Sequence, residues 1–414
     1  MDTNELPAEA IVDPKTFADP AQLHALLARL RAGAALPLVE AEDHDPVYIA
    51  ARHTDLVAVE KDAAHFINAP RQAFFSHSHA KASLEATGGV NVADFMRNLT
   101  AMDGEEHKAY REIAQGYFTP AGVAHLRAEI EALAAEFIDK MAPLGGECDF
   151  AKVAMAYPLR VIMSMLGIPE EDEPLMLRLT QQTLTSEDSE FAAEGGSAMG
   201  AMMEMYQYFM TLIADLRANP RDNLASLIAN ARIDGELLPE RDVFGYFLIT
   251  ATAGHDTTSY AITGGLLALL QNPEQMALLR ADPSLLPTAV EEILRWTTPV
   301  KHFCRTATEP REIGGTRIDK GELVLLSYPS ANRDAAVFDD ADVFRIDRRP
   351  NRQVAFGTGP HVCLGQYLAR LELTAIFREL LDRVEDIELA GEPRFVESTF
   401  VGGVKHLPIR YRMK

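Results

Sequence analysis

Residues 356–365 read Phe356-Gly-Thr-Gly-Pro-His-Val-Cys-Leu-Gly365, and this stretch decides the fold. A run with two glycines delivers one thiol, Cys363, just before a long amphipathic stretch over residues 364–381. That arrangement turns backbone N–H groups and a helix N-terminus toward the sulfur. Both favour a thiolate, and a thiolate is a strong ligand for iron. A lone cysteine beside a loop is more often a buried, inert side chain, so Cys363 by itself leaves both readings open.

A second segment works in the same direction. Residues 248–260 read Leu-Ile-Thr-Ala-Thr-Ala-Gly-His-Asp-Thr-Thr-Ser-Tyr, inside an apolar stretch from about 239 to 271. Pro239 suits a first helical turn and Pro273 a stop, which predicts about 30 residues of uninterrupted helix, long enough to cross the molecule. Gly254 removes bulk in its middle. Thr257 can hydrogen-bond back to a carbonyl one turn earlier, opening the ladder and bending the helix. Asp256 can then relay protons through water held in the opened groove. A buried helix with a routine glycine and back-bonded threonines remains the alternative on these residues alone. Further along, Glu292-Ile-Leu-Arg295 sets opposite charges one turn apart, and His107-Lys-Ala-Tyr-Arg111 puts a histidine and an arginine one turn apart on the same face.

Taken together these segments resemble the cytochrome P450 family. Its haem-binding loop, F-G-x-G-x-H-x-C-x-G, is matched at Phe356, Gly357, Gly359, His361, Cys363 and Gly365. Ala253-Gly254-x-Asp256-Thr257-Thr258 is similar to its oxygen-activation motif, and Glu292/Arg295 to its E-x-x-R pair. The resemblance implies a mainly α fold with small β-sheets (α+β), built as a single catalytic domain over residues 1–414. Haem b would lie between the long central helix and the helix after the cysteine loop, with Cys363 as the iron ligand. Ala253, Phe356, Gly357 and Gly365 would border the cofactor, and His107, Arg111, Arg305 and His361 would hold its propionates. Gly254, Asp256 and Thr257 would serve O2 activation, and Glu292 with Arg295 would form a buried structural pair. One position departs from the pattern: Val343 stands where many members carry Arg or His, so the third partner of Glu292 and Arg295 is either Arg345 or Arg348.

The implied activity is that of a monooxygenase. It hydroxylates a hydrophobic small molecule (terpenoid, steroid-like or aromatic) with O2 and electrons from NAD(P)H by way of a reductase and a ferredoxin. A peroxide-using relative and a non-catalytic haem sensor or carrier are the alternatives; retention of both Asp256 and Thr257 weighs against each. Phe95, Ile249, Val300, Phe400 and Val401 are the expected substrate contacts, mostly apolar and suited to recognition by shape. Lys108, Arg111, Arg352 and Arg370 are candidates for a basic patch facing an acidic ferredoxin. Met199, Met202, Met203, Met205 and Met210 make either core or an adaptable cover. His77 and His79 read as exposed loop residues sooner than as a metal site.

Composition agrees. A chain of 414 residues, 47% hydrophobic and 24% charged, can bury one large core. A net charge of −22 disfavours nucleic acid and anionic membranes. Three dispersed cysteines, Cys148, Cys304 and Cys363, argue against a disulfide framework or a zinc site and fit a reducing, cytoplasmic setting. The polar N-terminal residues carry neither signal peptide nor membrane anchor, and the expected form is a monomer.

Overall fold

A computed structural model describes residues 8–86, 97–184, 188, 190 and 198–414. The helices that position the site are α1 (Pro20–Ala32), α2 (His53–Lys61), α3 (Gly104–Phe118), α4 (Phe150–Leu166), α5 (Glu173–Leu184), α6 (Ala198–Ala218), α7 (Glu240–Ala253), α8 (Asp256–Gln271), α9 (Leu286–Thr297) and α10 (Gln366–Arg383). A five-stranded sheet comprises β1 (Leu38–Val39), β2 (Val47–Ala50), β3 (Phe66–Ile67), β4 (His302–Ala307) and β5 (Leu323–Ser327), in the order β1-β2-β5-β4-β3. The β2–β5 pair is parallel and the others are antiparallel, with Val324 opposite Arg305. Every residue of β5 is buried, as expected for the centre of a sheet covered on both faces.

The largest apolar cluster is helical and joins α3, α4, α7, α8, α9 and α10; two smaller clusters flank the sheet. α4 packs on α8, and α8, α9 and α10 contact one another. Among the described residues no helix is long and apolar enough to cross a membrane.

The 30-residue central helix expected over 239–271 is corrected: it is two helices, α7 and α8, with Gly254 and His255 between them. Thr257 Oγ1 donates to the Ala253 carbonyl at 2.8 Å across the break; Thr250 and Thr252 make the same bond inside α7 without interrupting it, so the back-bond acts here together with Gly254. The bend that Thr257 predicts is present, and it completes into a break.

α9 shows how the ion pair governs the approach to the cysteine loop. Proline in its first turn starts it, and Thr298, at φ +38°, ends it. Its inner face carries Glu292 and Arg295, both fully buried. Arg295 donates to both Glu292 oxygens (2.8 and 2.7 Å) and to the carbonyls of Asn332, Ala341 and Val343. Glu292 also accepts from Arg348 Nε at 3.0 Å, the Arg345 backbone N–H at 2.9 Å and Asn351 Nδ2 at 3.2 Å. Arg348 is therefore the third charged partner. The Arg345 guanidinium turns outward to Asp340 and Asp347. This cluster fastens the irregular segment 332–351, and Asn332 continues the chain of contacts by accepting from the Val354 N–H just before the loop.

Candidate active site

The cysteine loop turns over α2. Gly357 and Gly359 have φ +67° and +68°, conformations that favour glycine. The clash they avoid is with Glu60. A Cβ on Gly359 would stand 2.6 Å from the Glu60 carbonyl oxygen, and one on Gly357 would stand 3.0 Å from its Oε1. Glu60 then grips the loop: Oε2 accepts from the Thr358 N–H at 2.7 Å and its hydroxyl at 2.9 Å, while Oε1 accepts from Tyr328 at 2.7 Å. Burial pushes the Glu60 carboxyl up, and Arg305 pulls against that shift.

Cys363 donates its backbone N–H to the Phe356 carbonyl at 2.8 Å, which closes the loop. α10 begins three residues later, at Gln366. The sulfur is enclosed by the molecule yet opens onto an internal cavity, so Cys363 counts as exposed although desolvation dominates its acidity. Burial pushes its thiol up. The Gly365 backbone N–H, Arg111 and Arg370 pull the other way, as the sequence leads one to expect, but burial prevails.

One cavity gathers the predicted cofactor residues. His107, Arg111, Ala253, Arg305, Phe356, Gly357, His361, Cys363 and Gly365 all line it, together with Gly254 and Thr257. Ile249 and Val300 line it too, beside Leu99, Ile162, Phe303 and Leu294. Phe400 and Val401 do not. Val401 forms a β-bridge with Val300, and Phe400 packs against Phe303 at 5.5 Å, so both stand one layer behind the wall. Phe95 lies outside the described residues.

One edge of the cavity is polar. The rings of His107 and His361 stack at 3.8 Å. Asn68 Nδ2 lies 2.9 Å from His361 Nδ1, and Arg111 Nη2 donates to the Val362 carbonyl at 2.7 Å. Burial above all, then His107 and the arginines, holds the His361 imidazole near a pKa of about 3. Arg305 donates to the Cys304 carbonyl, and its nearest acid is Glu60 at 3.7 Å. Arg111 is in no ion pair among the described residues. Two guanidinium groups with one acid between them suit a ligand carrying two carboxylates.

A haem fits this set of residues. A Cβ on Gly365 would meet only Cys363 Sγ, at 4.0 Å, so the start of α10 presents bare backbone beside the sulfur. The walls are largely apolar, the thiol stands at one face, and the cations collect at one edge. Gly254 serves packing as well as space: a Cβ there would come 2.7 Å from Ile162 Cδ1 on α4.

Asp256 is fully buried, turns away from the cavity lining, and neither of its carboxylate oxygens has a hydrogen-bond partner among the described residues. Desolvation pushes its carboxyl up, countered in part by His255. Glu60, Asn68, Tyr246 and Tyr328 were missed by sequence reasoning. Glu60, Asn68 and Tyr328 meet partners 268 to 298 positions away and leave no local signature, and Tyr246 reaches the Tyr110 carbonyl across 136. The thiols of Cys148 and Cys304 are pushed to about 11 and about 12, mainly by burial, and neither lines the cavity.

The methionine candidates divide: Met202 and Met205 are core, Met199 and Met210 are half-buried, and Met203 is exposed. His77 and His79, expected in a loop, lie instead in the first turn of the helix His77–Ala86; His77 faces Asp45, His79 stacks on Phe75, and no cluster able to hold a metal ion occurs among the described residues. Of the four candidate patch cations, Arg111 faces the cavity, Arg370 binds Glu291 and covers Phe356, and Lys108 pairs with Glu105; Arg352 is exposed.

Comparison with known proteins agrees with this geometry. The family model for cytochrome P450 matches residues 197–385. The chain is 39% identical to cytochrome P450-terp of a Pseudomonas species over 98% of its own length and 97% of the relative's. It is 32% identical to linalool 8-monooxygenase of Pseudomonas putida over 93% and 95%. Among solved structures, CYP108D1 from Novosphingobium aromaticivorans superposes with a TM-score of 0.90 at 42% identity, covering 99% of both chains. A thiol, a polar edge for two carboxylates and an apolar wall in one cavity, together with these relatives over nearly the whole chain, show that the chain belongs to the cytochrome P450 family and is a monooxygenase that uses haem b and O2.

Proposed function

We propose that this monooxygenase, acting as one catalytic domain in the cytoplasm, hydroxylates a C–H bond of a terpenoid, steroid-like or aromatic molecule. The overall change converts R–H, O2, NAD(P)H and H⁺ to R–OH, H2O and NAD(P)⁺, with electrons passing through a reductase and a ferredoxin. The haem, when bound, supplies O2 activation and electron transfer. The chain does the rest. Cys363 provides the sulfur ligand, with Arg111 and the Gly365 N–H tempering its charge. Arg111, Arg305, His107 and His361 hold the carboxylates at the polar edge. Thr257 and Asp256 carry protons toward the cavity from the break between α7 and α8. Ile249 and Val300 shape the substrate wall, backed by Phe400 and Val401, with Phe95 as a further contact.

The observation that carries this reading is that Cys363, Thr257 and the apolar residues Ile249, Val300 and Phe303 line the same cavity. The terpenoid class is favoured by the name of the linalool 8-monooxygenase relative. The exposed Arg352 and Lys108 are the proposed ferredoxin contacts. The test is an oxidised-state ligand screen with terpenoids, steroids and aromatics, followed by product analysis with NAD(P)H, a ferredoxin and its reductase. A low-to-high-spin shift and a hydroxylated product from one class support the reading. Absence of both across all three classes overturns the substrate assignment.

A further inference from the structure

The break between α7 and α8 contains a side-chain arrangement that the motif reading does not use. His255, Asp256 and Thr180 are each 0% exposed. His255 Nδ1 stands 3.2 Å from Asp256 Oδ1 and 3.2 Å from Thr180 Oγ1, and His255 Nε2 stands 2.9 Å from the Met155 carbonyl oxygen. The ring thus touches α4 through Met155, α5 through Thr180 and the acid that opens α8. Among the described residues no lysine or arginine pairs with Asp256; Tyr260, one turn along α8, is a further ionisable group that feels its charge, and Tyr260 also feels Asp188, which Lys405 holds.

Counting hydrogens narrows what the group can be. A carbonyl only accepts, so Nε2 carries a hydrogen. The single hydroxyl hydrogen of Thr180 has two classes of acceptor. One is the Met176 or Leu177 carbonyl, at 3.0 and 3.1 Å, and the other is Nδ1. If Thr180 donates to its own helix, Nδ1 must also carry a hydrogen and donate to Thr180 Oγ1. The ring is then a cation 3.2 Å from a carboxylate that has no other counter-charge. If Thr180 donates to Nδ1, the ring is neutral, and the buried acid beside it must hold the proton to avoid an unpaired charge. In both arrangements the pair is neutral overall and contains one mobile proton.

We propose that His255 and Asp256 form a proton-sharing pair, and that the Thr180 hydroxyl serves both of its states and thereby couples the acid to α5. In the transfer the Nδ1–H bond breaks and an Oδ1–H bond forms, so that two opposite charges disappear together. Because Nδ1 and Oδ1 share no hydrogen bond in this geometry, the proton crosses when the Asp256 carboxyl turns into line with Nδ1–H, and the Thr180 hydroxyl then turns from its helix carbonyls to donate to the bare nitrogen. His255 and Thr180 are positioning residues here, and the proposal rests on Asp256 being the proton-delivering acid.

Infrared difference spectroscopy of the resting protein, with Asp256→Asn to identify the band, reads the carboxylic-acid C=O stretch of Asp256 directly. His255→Leu should raise that band above wild type, because it removes the only cation that the described residues set beside the carboxylate; Thr180→Val, which removes the partner of both states, should shift the band's intensity away from wild type, and Thr180→Ser should restore it. Equal intensity in wild type, His255→Leu and Thr180→Val overturns the proposal. Coupling is measured beside it as product formed per NAD(P)H consumed. If Asp256→Asn leaves coupling unchanged, the proton-delivery reading fails, whatever the infrared band shows. If Asp256→Asn lowers coupling while the band ignores His255 and Thr180, only the pair fails.

Discussion

Replacing Arg348 by methionine should destabilise the protein far more than replacing Arg345 by alanine, although the two arginines lie three residues apart. Arg348 is 4% exposed and gives one charge-assisted bond to Glu292 Oε2 at 3.0 Å. It also donates to the carbonyls of Asp339, Asp340 and Val343. A bond to a charged group contributes about 1.5–3 kcal/mol and each bond to a neutral carbonyl about 1 kcal/mol. Water replaces part of the latter near the surface, which leaves a net loss of about 3–5 kcal/mol, in the range for breaking a buried ion cluster. Arg345 reaches Glu292 only through its backbone N–H, which Arg345→Ala retains, and its guanidinium sits in surface pairs. Its loss should cost about 1 kcal/mol or less. Urea unfolding of the haem-loaded protein, followed by near-UV circular dichroism, reads the difference. With a slope of about 3 kcal/mol/M, Arg348→Met should lower the midpoint by about 1–1.7 M. Equal midpoints for the two variants, or a larger drop for Arg345→Ala, would refute the assignment of the third partner.

Gly359→Ala should empty the site. The left-handed backbone alone costs about 1–2 kcal/mol, and the new Cβ would press on the Glu60 carbonyl, so the haem-to-protein ratio after purification should fall. Thr257→Ala and Asp256→Asn should each lower NAD(P)H-driven product formation about 10²-fold or more while peroxide-driven turnover survives; equal loss by both routes would count against a proton-delivery role. Lys301 offers a pH test. It is buried without an acidic partner among the described residues, donates to the Thr297 and Thr298 carbonyls, and has its pKa lowered from 10.5 to about 8. The unfolded state therefore binds the extra proton between about pH 8 and 10.5. Wild-type stability should rise by roughly 3 kcal/mol relative to Lys301→Met as pH climbs through that window. A constant difference between the two unfolding curves from pH 7 to 10 would contradict the burial argument.

Much of the fold was legible because its determinants are local. The apolar stretch and its flanking prolines place the outer ends of the central helical run within a residue of Glu240 and Gln271, and Phe356, Gly357, His361, Cys363 and Gly365 of the cysteine loop line one cavity. What escaped was set by distant partners. Glu60 grips Thr358 across 298 positions, and nothing in its own neighbourhood marks it. Arg348 and Arg345 are indistinguishable by spacing; only the burial of one and exposure of the other separates them. The central helix was misjudged because its apolar period continues through Gly254, whereas a back-bonded threonine interrupts the ladder at Thr257 beside Gly254 but not at Thr250 or Thr252, a difference that periodicity does not register.

The most direct test is the optical spectrum of the reduced protein under carbon monoxide, for wild type, Cys363→Ser, Cys148→Ser and Cys304→Ser. The account predicts a strongly red-shifted Soret band in wild type and in the Cys148 and Cys304 variants, and its loss in Cys363→Ser alone. Persistence of that band in Cys363→Ser, or its absence from folded, haem-loaded wild type, would contradict the assignment of Cys363 as the sulfur ligand.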